Sequence, residues 1–130
     1  MWDRRAEYLG NHDGDTVRVN LDQGFGEIKE SFDVRLLGVY CPELSEPGGP
    51  ECQKFVAAWF KRHKLPRVRW SFVVITARMK RTDREETTLS GYVGTITSLD
   101  GTANLNAEIS EFVRSRGYGG GTGSQQIHTP

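Results

Sequence analysis

The sequence predicts a mainly β protein of the α+β class, built as one small barrel with two helices. Two observations predict this class. Segments with the alternating polarity of strands open the chain, and two amphipathic helical segments then flank a second pair of strands. With 130 residues the chain has the size of one domain. We therefore expect a single domain over residues 1–118, followed by a flexible glycine-rich tail over residues 119–130.

The first three strands are predicted to form an antiparallel meander. Residues 2–9 alternate weakly, whereas Thr16–Leu21 alternates valine and leucine with polar side chains, as a half-buried strand does. Asp22–Gly26 is a turn signal, and Glu30–Val39 resumes the extended pattern with apolar residues on one parity. Because the connections are short, antiparallel pairing is favoured.

A helix is predicted directly after this meander. Residues 44–50 are rich in proline and glycine and indicate a loop. Pro50 and Glu51 then favour a helix start, because proline suits the first turn and an acid suits its positive end. Apolar residues at i, i+1, i+4 and i+5 from Phe55 give one stripe, and the helix should end near Lys64.

Two more strands and a second helix complete the predicted fold. Val68–Ala77 and Leu89–Leu99 read as strands joined by the charged loop Arg78–Thr88. Asn104–Arg116 carries another apolar stripe, and Gly117 behind it is a C-terminal stop signal. Five strands, with a helix after the third and another after the fifth, indicate an OB-type barrel.

The bulk composition excludes some partners and leaves others open. Seventeen basic residues balance seventeen acidic ones, so net charge does not predict a nucleic-acid partner. The basic run over residues 61–84 fits a solvated face as well as a phosphate-binding groove. No apolar run approaches a membrane span, and none follows the N-terminus, so we expect an intracellular protein without a membrane partner. The two cysteines, Cys41 and Cys52, flank the loop over residues 43–51, so a disulfide that closes it is possible, but free thiols are favoured in a reducing cytosol.

Charged residues adjoin two of the predicted strands. Asp13-Gly14-Asp15-Thr16 precedes the second strand, where Asp15 could project into a cleft, although Asp-Gly is also a routine hairpin turn. Arg35 lies on the strand face opposite its apolar neighbours, and an exposed strand arginine explains it equally well. Glu43 follows the same strand. Together these groups are suited to a divalent cation and a phosphate.

Taken together, the motifs resemble the staphylococcal nuclease-like (thermonuclease-like) family over roughly Tyr8 to Tyr118. The segments that carry the resemblance are Asp13-Gly14-Asp15-Thr16, Val34-Arg35-Leu36-Leu37-Gly38-Val39, Pro42-Glu43, Gly49-Pro50-Glu51, Asp83-Arg84, Leu89-Ser90-Gly91-Tyr92-Val93, Asn104-Leu105-Asn106-Ala107-Glu108 and Arg116-Gly117-Tyr118. The resemblance implies an OB barrel and a Ca²⁺-assisted phosphodiesterase for DNA or RNA. In that family two aspartates and a backbone carbonyl hold the metal, a glutamate assists the attacking water, and two arginines hold the phosphate.

The resemblance assigns a role to four positions of this chain. Asp15 matches the first metal aspartate, and Cys41 stands where the backbone-carbonyl ligand would be. Arg35 matches the first arginine, and Glu43 matches the glutamate that activates water. The implied metal is Ca²⁺ or another divalent cation.

Two positions depart from the family pattern. Tyr40 occupies the place of the second metal aspartate, and its neutral phenol is a poorer calcium ligand than a carboxylate. Thr87 occupies the place of the second arginine and follows two acids, Glu85 and Glu86. An arginine on a transferring phosphoryl group can be worth about 10³–10⁵ in rate, so uncompensated losses would leave little turnover.

Nearby residues offer compensation for both losses. Arg81 or Arg84 could replace the missing guanidinium, and Asp13 or Glu46 could supply the missing carboxylate beside Tyr40. We therefore expect a slow or rebuilt nuclease, monomeric, that acts on DNA or RNA and favours single strands. The alternative is a degenerate member that binds nucleic acid or a protein without catalysis, and a third possibility is a purely structural role.

Overall fold

The computed structural model of the protein describes residues 2–78 and 92–118. Its strands are β1 (Trp2–Asn11), β2 (Thr16–Gly24), β3 (Glu27–Leu36), β4 (Phe72–Arg78) and β5 (Tyr92–Ser98), and its helices are α1 (Gly49–His63) and α2 (Leu105–Arg116). Residues 79–91, which hold most of the predicted charged loop, and the predicted tail over residues 119–130 lie outside the described residues.

The five strands close into a barrel in the order β1-β2-β3-β5-β4, with β4 pairing back onto β1. All pairs are antiparallel except β3 with β5, which run parallel through Arg35 opposite Val93 and Leu36 opposite Gly94. A parallel pair needs a long crossover, and α1 with β4 provides it. This order is that of an OB-type barrel, so the predicted α+β, mainly β fold is confirmed.

The core follows the alternation of the strands and the apolar stripes of the helices. Val17 and Val19 of β2 point into the barrel, and the stripe of α1 closes one side of it. Trp59 and Phe60 are fully buried and pack against Phe72 at the start of β4, with ring centroids 5.7 and 4.8 Å away. Aromatic packing of this kind fixes α1 against the barrel.

Element boundaries differ from the prediction where the backbone enters the left-handed region. β3 ends at Leu36 rather than Val39, because Gly38 has φ +75° and the Val39 N–H bonds back to the Leu36 carbonyl. β4 begins at Phe72 rather than Val68, because Arg67 has φ +61° and a turn precedes the strand. Within the described residues, neither helix has the length and apolar content that a membrane crossing requires.

Candidate functional site

The segment between β1 and β2 folds as a tight aspartate turn, which we name the Asp13–Thr16 turn. The Asp13 Oδ1 atom accepts hydrogen bonds from the backbone N–H groups of Asp15, at 3.1 Å, and Thr16, at 3.0 Å. The His12 N–H donates to the Thr16 carbonyl at 3.1 Å. Short aspartate side chains favour such turns because they bond their own backbone two residues on. The local sequence thus fixes the turn that presents Asp15.

This turn is also tied to α1. The Asn11 Nδ2 atom donates to the carbonyls of Asp13, at 2.9 Å, and of Gln53 on α1, at 3.1 Å. Gln53 returns a bond from its Nε2 to the His12 carbonyl at 3.1 Å. Two amide side chains therefore hold the turn at a fixed distance from the helix, and the sequence analysis did not identify either of them.

Gly14 is required by packing beneath the turn. A Cβ atom at this position would lie 2.6 Å from the Cys41 Sγ and 2.7 Å from the Cys52 Cβ, both too close for any side chain. The two cysteines are free thiols and buried. Burial raises the pKa of both, so they stay protonated and act as small apolar groups under the turn.

Asp15 is the most perturbed carboxyl of the site. It is 9% exposed, and its Oδ2 atom accepts a hydrogen bond from the Cys41 N–H at 3.3 Å. Burial, followed by the hydrogen bond and the charge of neighbouring Asp13, raises the pKa of Asp15 to about 6. The Cys41 N–H and the positive charge of Arg35 act in the opposite direction. The fold therefore holds two carboxyl groups close together, which disfavours the charged form of Asp15. A bound cation would offset the repulsion between them.

Arg35 lies on the outer face of β3, opposite Thr16 on β2, while Val34 and Leu36 are buried. This confirms the orientation predicted from alternation. The end of β3 is fixed by Asn106 of α2, whose Nδ2 donates to the carbonyls of Leu37 and Gly94, each at 3.0 Å. Asn106 therefore acts on the site only through the backbone that carries Arg35.

Glu43 lies on the loop after β3, and its exposed side chain lines the same cleft as Arg35. The loop is closed by Glu46, whose Oε1 atom accepts from the Glu43 N–H at 2.9 Å. The Glu46 N–H donates in turn to the Glu43 carbonyl at 2.8 Å. A Cβ atom at Gly49 would collide with that carbonyl, so the glycine lets α1 begin directly against the loop.

These elements line an open cleft of about 950 Å³. Four of the residues predicted from the sequence line it together: Asp13, Asp15, Arg35 and Glu43. Cys41, proposed for its backbone carbonyl, lines it as well. Two further charged residues, Arg18 and Asp33, line the cleft and were not predicted from the sequence. The alternation that predicts an outward Arg35 also predicts an outward Arg18. The pairing of Arg18 with Asp33 depends on the strand register, which the sequence does not give.

Among the residues that the structure describes, two further candidates, Tyr40 and Glu46, do not line this cleft. Tyr40 is 39% exposed and lies on the loop after β3, and Glu46 uses its carboxylate to close that loop. Arg81, Arg84 and Thr87 fall within residues 79–91, outside the described part of the chain.

Known proteins provide no further assignment. A scan against models of protein families and a search of curated proteins find no match to this chain. The site must therefore be interpreted from its own residues.

The oxygen ligands of the cleft fit a cation that is shared with the substrate phosphate better than a cation held by protein side chains alone. Within residues 2–78 and 92–118, no three or more His, Cys, Asp or Glu side chains are grouped so that they could hold a metal ion. Ca²⁺ takes six to eight oxygen ligands, so the described side chains do not form a calcium cage. Mg²⁺ and similar ions use one or two carboxylates, waters and substrate phosphates. The close pair Asp13 and Asp15 fits such a shared ion.

Proposed function

We propose that this protein is a staphylococcal nuclease-like phosphodiesterase that cleaves single-stranded DNA or RNA with the assistance of a divalent cation. The observation that carries the proposal is the cleft in which Asp15, Arg35 and Glu43 lie together. The three residues come from different segments, the Asp13–Thr16 turn, β3 and the loop after it. We further propose that the protein acts as an intracellular monomer.

The balance of charge in the cleft supports the need for a cation. Among the described residues, its lining carries four carboxylates, on Asp13, Asp15, Asp33 and Glu43, against the two arginines Arg18 and Arg35. A polyanion that entered the cleft without a cation would meet excess negative charge and be repelled. A bound divalent cation supplies positive charge to the scissile phosphate and orients its substituents. Asp15, with Asp13 beside it, would hold that ion.

The chain's own residues account for the remaining steps. Arg35 binds the phosphate oxygens and stabilises the negative charge that grows during attack. Glu43 accepts a proton from the attacking water, whose oxygen forms the new bond to phosphorus as the bond to the leaving oxygen breaks. The leaving oxygen takes a proton from solvent water and departs as an alcohol, and Glu43 returns its proton to solvent. The Glu43 side chain is exposed on the cleft wall, within access of solvent water.

We expect turnover to be slow. The family pattern uses a second arginine, and the corresponding position here is Thr87. Removing one preorganised charge-stabilising group costs about 10²–10³ in rate. Tyr40 in place of the second metal aspartate favours, as the second candidate, a binding module without catalysis.

The test is cleavage of a single-stranded oligonucleotide with Mg²⁺, Mn²⁺ or Ca²⁺. Glu43→Gln and Arg35→Gln should each reduce the rate by about 10²–10³. Glu111→Gln is the matched control, because Glu111 is exposed on α2 away from the cleft. Cleavage that is unchanged in both site variants would reject the proposal.

The same protein distinguishes the second candidate by titration with a divalent cation and a nucleoside bisphosphate. Binding of both ligands without cleavage under any condition would identify a binding module. Absence of both binding and cleavage would reject a nucleic-acid function altogether and leave a protein partner.

A further inference from the structure

Arg18 and Asp33 form an ion pair on the wall of the cleft that the proposed reaction does not use. The Arg18 Nε atom is 2.9 Å from Asp33 Oδ1, and a terminal nitrogen is 3.3 Å from Oδ2, so the guanidinium meets the carboxylate with two bonds. The side chains are 57% and 49% exposed. A guanidinium binds phosphate with the same two-pronged geometry that it uses for carboxylate. The Asp33 carboxylate thus binds the Arg18 guanidinium in the way that two phosphate oxygens would.

The strand register relates this pair to the proposed catalytic arginine. Arg18 lies opposite Asp33, and Thr16 lies opposite Arg35, so Arg18 and Arg35 are two rungs of the β2–β3 ladder apart on the same outer face. Diagonal neighbours of this kind on an antiparallel strand pair lie about 7–8 Å apart. Two guanidinium groups at this spacing can contact consecutive phosphates of one extended strand.

We propose that Arg18 binds the phosphate next to the one held by Arg35, and that Asp33 restrains Arg18 until nucleic acid displaces it. This inference rests on the proposed function and specifies its substrate as a strand with at least two phosphates. Along the described strand β2, the row of positive charge ends there. The next outward residue of β2 is Asn20, whose Nδ2 atom donates to the Glu7 carboxylate at 3.0 Å. The described residues of β2 and β3 therefore account for two phosphates.

Salt dependence of binding measures the number of phosphates that the protein neutralises. The logarithm of affinity for a single strand falls with the logarithm of salt concentration with a slope of about −0.7 per phosphate. We would measure it by fluorescence anisotropy of a labelled single-stranded oligonucleotide with Mg²⁺ present. Arg18→Gln should reduce the slope by about 0.7. Arg62→Gln is the matched control, because Arg62 is also 57% exposed and paired to a carboxylate, but lies outside the cleft.

Asp33→Asn tests the restraint separately. Freeing Arg18 from an exposed ion pair should tighten binding by up to about fivefold, while a purely structural role would leave binding unchanged or weaker. Weaker or unchanged binding would overturn the restraining role of Asp33.

A comparison of substrates completes the test. A dinucleotide with one internal phosphate should be cleaved equally by the wild type and Arg18→Gln, whereas a trinucleotide with two should show a higher KM in the variant. If Arg35→Gln lowers the salt slope and Arg18→Gln does not, the second phosphate site is wrong and the proposed function stands. If the wild type shows no salt-dependent binding of any oligonucleotide, the proposed function is rejected, and the second phosphate site is rejected with it.

Discussion

Two aspartate–glycine turns of this protein use the same residue types and give opposite electrostatics. In the turn after β5, the Asp100 Oδ1 atom accepts hydrogen bonds from the Ser98 Oγ at 2.7 Å and from the Thr102 N–H at 3.0 Å. These bonds, led by that from the Thr102 backbone, lower the pKa of Asp100 to about 2. In the Asp13–Thr16 turn, the pKa of Asp15 is instead raised to about 6.

The two aspartates hold different positions in their turns, because Asp100 accepts the backbone bond of its turn, as Asp13 does in the other, whereas Asp15 donates its N–H to Asp13. Their surroundings differ as well. Asp100 is exposed and is surrounded by donors, so its charged form is favoured. Asp15 is buried beside a second carboxyl group, so its charged form is disfavoured. A fold that keeps an aspartate in the unfavourable arrangement at a cleft has the signature of a functional site, whereas Asp100 has that of a structural turn. Four predictions test this contrast.

The largest expected effect is on activity. Asp15→Asn should reduce cation-dependent cleavage by at least about 100-fold, because it removes a carboxylate proposed to hold the cation. Asp100→Asn should leave cleavage unchanged, since that turn lies outside the cleft. The measurement is the initial rate at saturating Mg²⁺. Equal effects of the two substitutions would contradict the contrast between the turns.

Substitution of the two turn glycines should destabilise the protein in both cases but lower cleavage in only one. Gly14→Ala should destabilise the protein by about 1–3 kcal/mol, because the new Cβ collides with the buried cysteines and displaces the turn. Gly101→Ala meets no atom within 4 Å but must adopt φ +80°, which costs about 1–2 kcal/mol. Denaturant unfolding gives both values. Only Gly14→Ala should also lower cleavage. Full activity of the Gly14→Ala variant would show that displacement of the turn does not affect the site.

The pH dependence should separate the two carboxyl groups. The folded-state pKa of Asp15 lies above the ordinary value of about 4, so between about pH 4 and 6 the folded protein binds a proton that the unfolded chain does not. Without cation, the free energy of unfolding relative to Asp15→Asn should therefore rise as pH falls from about 6 towards 4. Cation affinity should change oppositely and increase as pH rises through about 6, because the ligand must be deprotonated.

Calorimetric titration and denaturant unfolding at several pH values would check both slopes. A difference between wild type and Asp15→Asn that stays constant between pH 4 and 7 would show that the carboxyl group is not perturbed.

The smallest expected effect is that of Asp100→Ala on stability. The substitution removes the acceptor of bonds from Ser98 and Thr102, so the Tm should decrease slightly at neutral pH. Because the lowered pKa of Asp100 stabilises the fold above pH 4, the difference should vanish as pH falls through about 2. Thermal unfolding followed by circular dichroism checks this. A decrease in Tm that persists at pH 2 would assign the effect to packing instead.

Much of the fold could be predicted because its signals are local. The alternation in Thr16–Leu21 and the stripe that begins at Phe55 depend only on neighbouring residues, and both elements formed where they were predicted. The errors lie where a single residue takes the left-handed region, as at Arg67 before β4. Nothing in the residue type forces that conformation on an arginine, so the sequence could not reveal it.

The candidate site was predictable in part. Asp15, Arg35 and Glu43 were found as charged groups at strand ends, and they line one cleft. Arg18 was missed because its partner, Asp33, is 15 residues away and meets it only through the register of β2 and β3. The support that Gln53 gives to the Asp13–Thr16 turn was missed for the same reason.

The sequence by itself determined the kinds of element, their order and the outward face of Arg35, because periodicity and turn chemistry act over a few residues. Only the tertiary structure decided that Asp15 is buried beside Asp13 while Asp100 stays in water. It also decided that Gly14 lies on two cysteines from distant segments. Desolvation and charge neighbours depend on which segments pack together, and that packing is set by contacts far apart in the chain.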